Sequence, residues 1–318
     1  MKKWKYGVMM AAFVLSSAIV GCSKQEEPQS SGKQEKSLKV VTTFYPMYDF
    51  TKNVVGSNGK VDVLVPAGTE PHDFEPSPKD IAKIEDADVF VYNSDAMETW
   101  VPKVLKSLDN KKIKVIEASE GISLMEGTAE EEGDEHANEK HDGHPMDPHV
   151  WLDPVLVQKE VANIKQAVIE ADQAHKQDYE KNADQYITKL KELDNLFRTT
   201  LDKAKRKDFV TQHAAFGYLA KEYGLTQVPI AGLSPDQEPS PARLAELQKY
   251  VKDNNIKVIY FEEVASPKVA KTLADETGAK TVVLSPIEGI TKEEQAKGQD
   301  YISYMRKNLD ALKQSLMQ

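Results

Sequence analysis

His72, His149 and His213 stand apart from the chain's other four histidines because of what precedes each one. His72 lies in Gly68-Thr69-Glu70-Pro71-His72-Asp73-Phe74-Glu75-Pro76, just past the β-branched run Val61 to Val65. His213 directly follows the apolar run Phe209 to Gln212. His149 sits in Asp147-Pro148-His149-Val150-Trp151-Leu152-Asp153-Pro154, where an acidic stretch ends and a helical pattern begins. A neutral imidazole can ligate a divalent metal or carry a proton, and three of them from distant segments are what a metal site needs. A single loop histidine is ordinarily solvated. No His-Glu-x-x-His pair occurs, so the zincin signature of a catalytic zinc is absent.

A second group of histidines has a different setting. His136, His141 and His144 fall in 126–147 among Glu130, Glu131, Glu132, Asp134, Glu135, Glu139 and Asp142, with almost no large apolar side chain. Such a stretch cannot bury enough surface to fold, so it reads as a mobile surface loop. His175 is expected to be exposed.

The single cysteine has its own chemistry. Lys2, Lys3 and Lys5 precede Val8 to Val20, which is apolar apart from Ser16 and Ser17. About thirteen residues are too few to span a bilayer, so this is a secretory signal. It ends in Ile19-Val20-Gly21-Cys22, which resembles the lipobox of bacterial lipoproteins. That resemblance implies that Cys22 is lipidated and becomes the first mature residue. The stretch Ser23 to Ser37 is rich in Ser, Gln, Glu and Lys, as a flexible tether would be. A lipidated Cys22 leaves no thiol for a disulfide, so packing or a ligand must stabilise the fold.

These groups need elements to hold them. Strands are expected at 39–44, 61–65, 89–92 and 113–116, with helices at 48–55, 78–85 and 99–108. Helices at 155–171 and about 176–205 follow. In the second of these Tyr179, Ala183, Tyr186, Leu190, Leu193, Phe197 and Leu201 recur at spacings of three and four. Thirty residues make a rod about 45 Å long. Alternation restarts with strands at 209–212, 258–261 and 281–284 and helices at 216–223, 241–253, 267–277 and 300–316. The fold class is therefore α/β: two lobes, each a mostly parallel sheet flanked by helices, joined by one long helix. The divisions are a signal at 1–21, a tether at 22–37, an N-terminal lobe at 38–175 containing the loop 126–147, a linker helix at 176–206, and a C-terminal lobe at 207–318. No strong internal repeat is visible. In open parallel sheets ligands bind beyond the carboxyl ends of the strands, the edge on which His72 and His213 fall, one per lobe.

The formal charge of the 318 residues is −10, and loss of residues 1–21, with three lysines and no acids, takes it to −13. With no basic stripe, nucleic acid is excluded as a partner. No later segment approaches transmembrane length.

Four segments carry a specific likeness. Pro71-His72-Asp73-Phe74-Glu75-Pro76-Ser77-Pro78, Asn93 with Glu98 and Trp100, Pro148-His149-Val150-Trp151-Leu152-Asp153-Pro154, and His213-Ala214-Ala215-Phe216-Gly217-Tyr218 resemble the metal-binding (A-I) cluster of ABC-importer solute-binding lipoproteins, in its zinc-uptake, ZnuA-like type. The likeness runs from about Leu38 to the C-terminus. It implies two lobes joined by a rigid helix, with metal in the cleft between them. The family's ligands carry over onto His72, His149 and His213. Its fourth, a carboxylate, matches best at Glu288 in Leu284-Ser285-Pro286-Ile287-Glu288-Gly289, with Glu262 and Glu263 as alternatives. Ser94 stands where relatives commonly have Gly, which bears on a turn.

Three imidazoles and a carboxylate suit tetrahedral Zn²⁺, whereas manganese favours more oxygen donors. Glu70, Asp73 or Asp147 are candidates to offset charge or orient the imidazoles. His136, His141 and His144 resemble the low-affinity metal collector of zinc-type relatives. The implied function is extracytoplasmic capture of Zn²⁺ for an ABC permease and its ATPase, by a monomer held to the cell membrane through lipid on Cys22. A closed four-ligand shell argues against an enzyme. The alternatives are a manganese-binding importer subunit or a surface adhesin with a structural metal.

Overall fold

β1 (Leu38–Thr42) forms because Leu-Lys-Val-Val-Thr is extended by β-branching and too apolar to face water: only Lys39 is exposed. The computed structural model describes residues 37–108, 112–127 and 145–318. The signal 1–21, Cys22 with nearly all of the tether, and His136, His141 and His144 lie outside those residues.

The chain runs from β1 through α1 (Tyr45–Val55) to β2 (Gly59–Val63), and through α2 (Pro78–Glu85) to β3 (Val89–Tyr92). It continues through α3 (Val101–Ser107) to β4 (Lys114–Glu117). The four strands are all parallel in the order β2-β1-β3-β4. β3 is buried along its whole length, as expected of a parallel strand covered by helices on both faces. α2 starts where Ser77 and Asp80 close a capping box ahead of Pro78, satisfying the first free N–H groups.

A two-stranded antiparallel ladder of β5 (Met125–Glu126) and β6 (Met146–Asp147) follows. Beyond a 3₁₀ turn at Val150–Leu152, α4 (Pro154–Ala171) starts with Asp153 as its N-cap. After a second 3₁₀ turn comes α5 (Lys176–Leu201). Its buried residues are Tyr179, Ala183, Tyr186, Leu190, Leu193, Phe197 and Leu201, the face expected from the spacing. α5 ends before residue 205 because the chain beyond it is captured elsewhere: the N–H groups of Lys205 and Arg206 donate to the Leu316 carbonyl.

The second sheet comprises β7 (Asp208–Thr211), β8 (Thr226–Pro229), β9 (Val258–Phe261) and β10 (Lys280–Val283). Its helices are α6 (Gly217–Glu222), α7 (Pro241–Asp253), α8 (Lys268–Thr277), α9 (Lys292–Ala296) and α10 (Tyr301–Leu316). The strand order is β10-β9-β7-β8, again all parallel. Counted from its own first strand, each sheet has the order 2-1-3-4, so the two lobes share one topology that no repeat in the sequence announces. β8, the β5–β6 ladder and α9 had no expected counterpart.

α5 packs against α1 and α4 on one side and α10 on the other. One apolar core is continuous from Val40 and Phe50 through Tyr186 and Phe197 to Tyr260 and Leu312. Residues 37–318 form a single compact unit. Asp49 of α1 fastens the lobes further, accepting from the Tyr186 hydroxyl at 2.9 Å and the Tyr301 N–H at 3.3 Å. His175 is not simply exposed: its Nδ1 is 2.6 Å from Asp172 Oδ2.

Candidate metal centre

Each expected donor stands beyond the carboxyl end of a strand or at the start of a helix, where the backbone turns into the cleft. His72 follows β2, His213 lies two residues past β7, and Glu288 is five residues past β10. His149 precedes the turn that leads into α4. Three braces set its backbone. Asn93 Nδ2 donates to the Pro148 carbonyl at 2.9 Å, Trp151 Nε1 to the Pro286 carbonyl at 2.8 Å, and the Tyr301 hydroxyl to the Trp151 carbonyl at 2.7 Å. Asn93 is itself held because the Glu98 carboxylate accepts from its N–H, from that of Ser94 and from the Thr43 hydroxyl. The Asn93–Glu98 segment therefore helps position His149 through the Pro148 carbonyl.

The structure brings His72, His149, His213 and Glu288 into one cluster, with one ligand atom of each within 4.8 Å of all the others. Glu288 Oε1 lies 3.4 Å from His72 Nε2 and 3.3 Å from both His149 Nε2 and His213 Nε2. His149 Nε2 is 3.3 Å from His72 Nε2 and from His213 Nε2. His149 and His213 are fully buried and Glu288 nearly so, while His72 is partly exposed.

The remaining ring nitrogens are turned away and anchored. His149 Nδ1 is 2.7 Å from Asp147 Oδ1, and His213 Nδ1 is 2.5 Å from Glu262 Oε1. Nε2 of each ring is thereby left to face the cluster, the arrangement in which a carboxylate fixes tautomer and orientation. Glu262, an alternative fourth ligand, thus stands behind His213. Of the candidate orienting acids, Asp147 meets His149 and Glu70 accepts the His72 N–H at 2.9 Å. Asp73 interacts with Asp236 instead. The other Glu70 oxygen is buried without a partner among the described residues. Burial and then the Glu288 charge push the Glu70 carboxyl up to about 8.

The cluster's electrostatics are strongly coupled. Burial opposes charging His213, but Glu262 and Glu288 outweigh it and hold its pKa well above the imidazole range. His149 is raised too, with Asp147 and Glu288 overcoming burial. Burial would raise Glu288, yet His213, His149 and His72 drive it well below the usual carboxylate range. Without metal the cluster holds itself together as imidazolium and carboxylate, and an incoming cation must displace those protons.

The Glu288 loop is under strain. Ile287, β-branched and fully buried, has φ of 59°, a region that side chains of its type rarely adopt. The Asn308 side chain holds the loop by accepting from the Ser285 N–H at 2.9 Å and donating to the Ser285 carbonyl at 2.6 Å. Gly289 lets the loop meet its counterpart from the first sheet, because a Cβ there would lie 3.3 Å from the Thr69 carbonyl oxygen.

Residues 40–315 match the family model described as zinc-uptake complex component A, periplasmic. Over 317 residues the chain is 58% identical to the high-affinity zinc uptake system protein ZnuA of Bacillus subtilis, covering 99% of this chain and 98% of that protein. It is 52% identical over 307 residues to the zinc-binding lipoprotein AdcA of Streptococcus pneumoniae, covering 96% of this chain but 60% of that longer protein. The crystal structure of the Zn(II)-bound ZnuA-like domain of the latter superposes with a TM-score of 0.77 at 52% identity, covering 89% of this chain and all of that one. This chain belongs to the ZnuA family of zinc-uptake solute-binding components.

Proposed function

We propose that this chain captures Zn²⁺ outside the cytoplasm with His72, His149, His213 and Glu288 and delivers it to an ABC permease driven by its ATPase. One observation carries the reading. A tetrahedral shell with bonds of about 2.0–2.1 Å has edges of about 3.3–3.4 Å. Five of the six edges of the cluster have that length. Three nitrogens and one oxygen are the donor set of zinc rather than of manganese, which favours oxygen.

Four protein donors fill the shell, so no position is left on the ion for a reacting water, and the centre binds rather than catalyses. Asp147 and Glu262 hold two of the imidazoles in the productive tautomer. Burial of three of the four donors shields the ion from solvent exchange. Donors come from both lobes, so separating the lobes would dismantle the shell and release the ion. The lipid-bearing Cys22 and the tether would keep the protein beside its permease.

Elemental analysis and a competitive chelator titration of the protein and its His72→Ala, His149→Ala and His213→Ala variants test this reading. One tightly held Zn²⁺ per chain, lost or severely weakened in each variant, is the expected result. Wild-type affinity in all three would reject the site.

A further inference from the structure

We propose that the Tyr218 hydroxyl is a positioning group for the metal centre, acting through Asp147 across the cleft. The proposal rests on the zinc-site reading above. Tyr218, in the first turn of α6, is buried, and its hydroxyl makes two hydrogen bonds. It accepts from the Met125 N–H at 2.7 Å and donates to the Asp147 carbonyl at 2.7 Å. One phenol oxygen therefore ties together both strands of the β5–β6 ladder. That ladder has only two residues on each side, too few to hold its own position.

Asp147 is where this matters. Its Oδ1 takes both the N–H of His149, at 2.9 Å, and the ring Nδ1, at 2.7 Å. The position of residue 147 thus sets the orientation of the His149 ring. The α6 backbone presses on the same carboxylate, because a Cβ on Gly217 would lie 2.9 Å from Asp147 Oδ2. The segment 213–218 consequently supplies one donor, His213, and also fixes the partner of another, His149, which belongs to a different part of the chain. Assembly of the two halves of the shell is coupled by this contact, since the ladder cannot leave α6 without moving Asp147.

The test uses the full-length protein and Tyr218→Phe, which removes one oxygen and keeps the ring. Outer-shell partners of a metal ligand affect affinity by about 10–100-fold, so about a 10-fold weaker zinc affinity is expected, mainly as faster release. The visible d–d band of the Co²⁺-loaded protein should shift. Tyr260→Phe is the control, because its hydroxyl donates to the Ala311 carbonyl and pairs with the Ser315 hydroxyl, away from the cleft. It should lower thermal stability while leaving affinity and the cobalt band unchanged. On an Asp147→Asn background Tyr218→Phe should cost little more, because both act through one path. Gly217→Ala, which crowds the Asp147 carboxylate while sparing the phenol, should weaken zinc in the same direction. Wild-type zinc affinity and an unshifted cobalt band in Tyr218→Phe would overturn the proposal. Failure of the wild-type protein to bind zinc tightly would instead overturn the site reading beneath it.

Discussion

Glu262 Oε1 stands 2.5 Å from His213 Nδ1, on the side of the ring opposite the Nε2 that faces Glu288. The two carboxylates nearest His213 therefore have different settings, one anchoring the ring from behind and one facing the imidazole cluster. Glu288→Gln should lower zinc affinity less than a His→Ala change, because three imidazoles remain and water can fill the fourth position. Glu262→Gln should cost about 10–100-fold, the range for a partner behind a ligating imidazole. A chelator competition checks both. If Glu288→Gln behaved as wild type while Glu262→Gln lost the metal, the assignment would have to be exchanged.

Zinc binding should weaken steeply in acid. His149 and His213 both hold their protons above the ordinary imidazole range in the metal-free protein, whereas Glu288 stays ionised. Each proton displaced by the metal makes the apparent affinity fall about one decade per pH unit below the imidazole's own pKa. Between pH 7.5 and 5.5 the decline should thus reach about one to two decades per unit. Affinity that stayed flat over this range would exclude histidine ligation.

The metal-free fold should respond to pH in the opposite sense. Burial pushes Asp49 up to about 6 and both Glu98 and Asp153 up to about 7. Glu160, fully buried, is raised well above its usual value by burial and then by Glu98 and Asp153. A buried acid with a raised pKa is neutral when folded but ionises once unfolded, so it favours the unfolded chain increasingly as pH rises above about 4.5. The metal-free protein should therefore melt higher at pH 5.5 than at pH 8. A melting temperature that rose toward pH 8 would contradict the sign.

Glu160 gives the sharper form of that test, because neither of its oxygens has a partner among the described residues. Glu160→Gln removes the ionisable group at nearly constant volume. At pH 8 it should raise Tm by about 2 °C for each kcal/mol relieved, the shift expected for a folded unit the size of residues 37–318. At pH 4, below the unfolded carboxyl's own pKa, the gain should nearly vanish. Equal effects at both pH values would show that ionisation is not what Glu160 costs.

Asn308 braces the strained loop before Glu288. Asn308→Ala frees the backbone N–H and carbonyl of Ser285 and lets Ile287 relax toward an ordinary φ, drawing Glu288 away from the imidazoles. Zinc affinity should fall, but by less than in Glu288→Gln, and the metal-free protein should lose stability as well. Calorimetric titration with zinc, together with thermal melts, checks the pair of effects. An unchanged affinity would mean that the loop keeps its place without Asn308, through contacts such as that of Trp151 with the Pro286 carbonyl.

Much of this molecule was legible locally. The buried face of α5 from Tyr179 to Leu201 follows from the spacing of its apolar side chains, because helical periodicity is written in neighbouring residues. Likewise, a parallel strand covered on both faces must read as an apolar run, so β3 was found within its own four residues. The histidines after β2 and β7 could be singled out for the same reason, since the end of a strand is a local signal.

What pairs with what was decided only by the tertiary structure. β8 is a short edge strand ending in Pro229, and each strand of the β5–β6 ladder has two residues, so neither has a period to detect. Both are stabilised by distant partners, β7 in one case and Tyr218 in the other. Glu262 and Glu288 each follow a strand of the same sheet, and nothing in their neighbouring residues tells which one faces the imidazole cluster and which one stands behind a ring. That difference arises from the side on which each loop meets His213, which depends on strand order, the conformation of Ile287 and the grip of Asn308, all set by residues far apart in the chain.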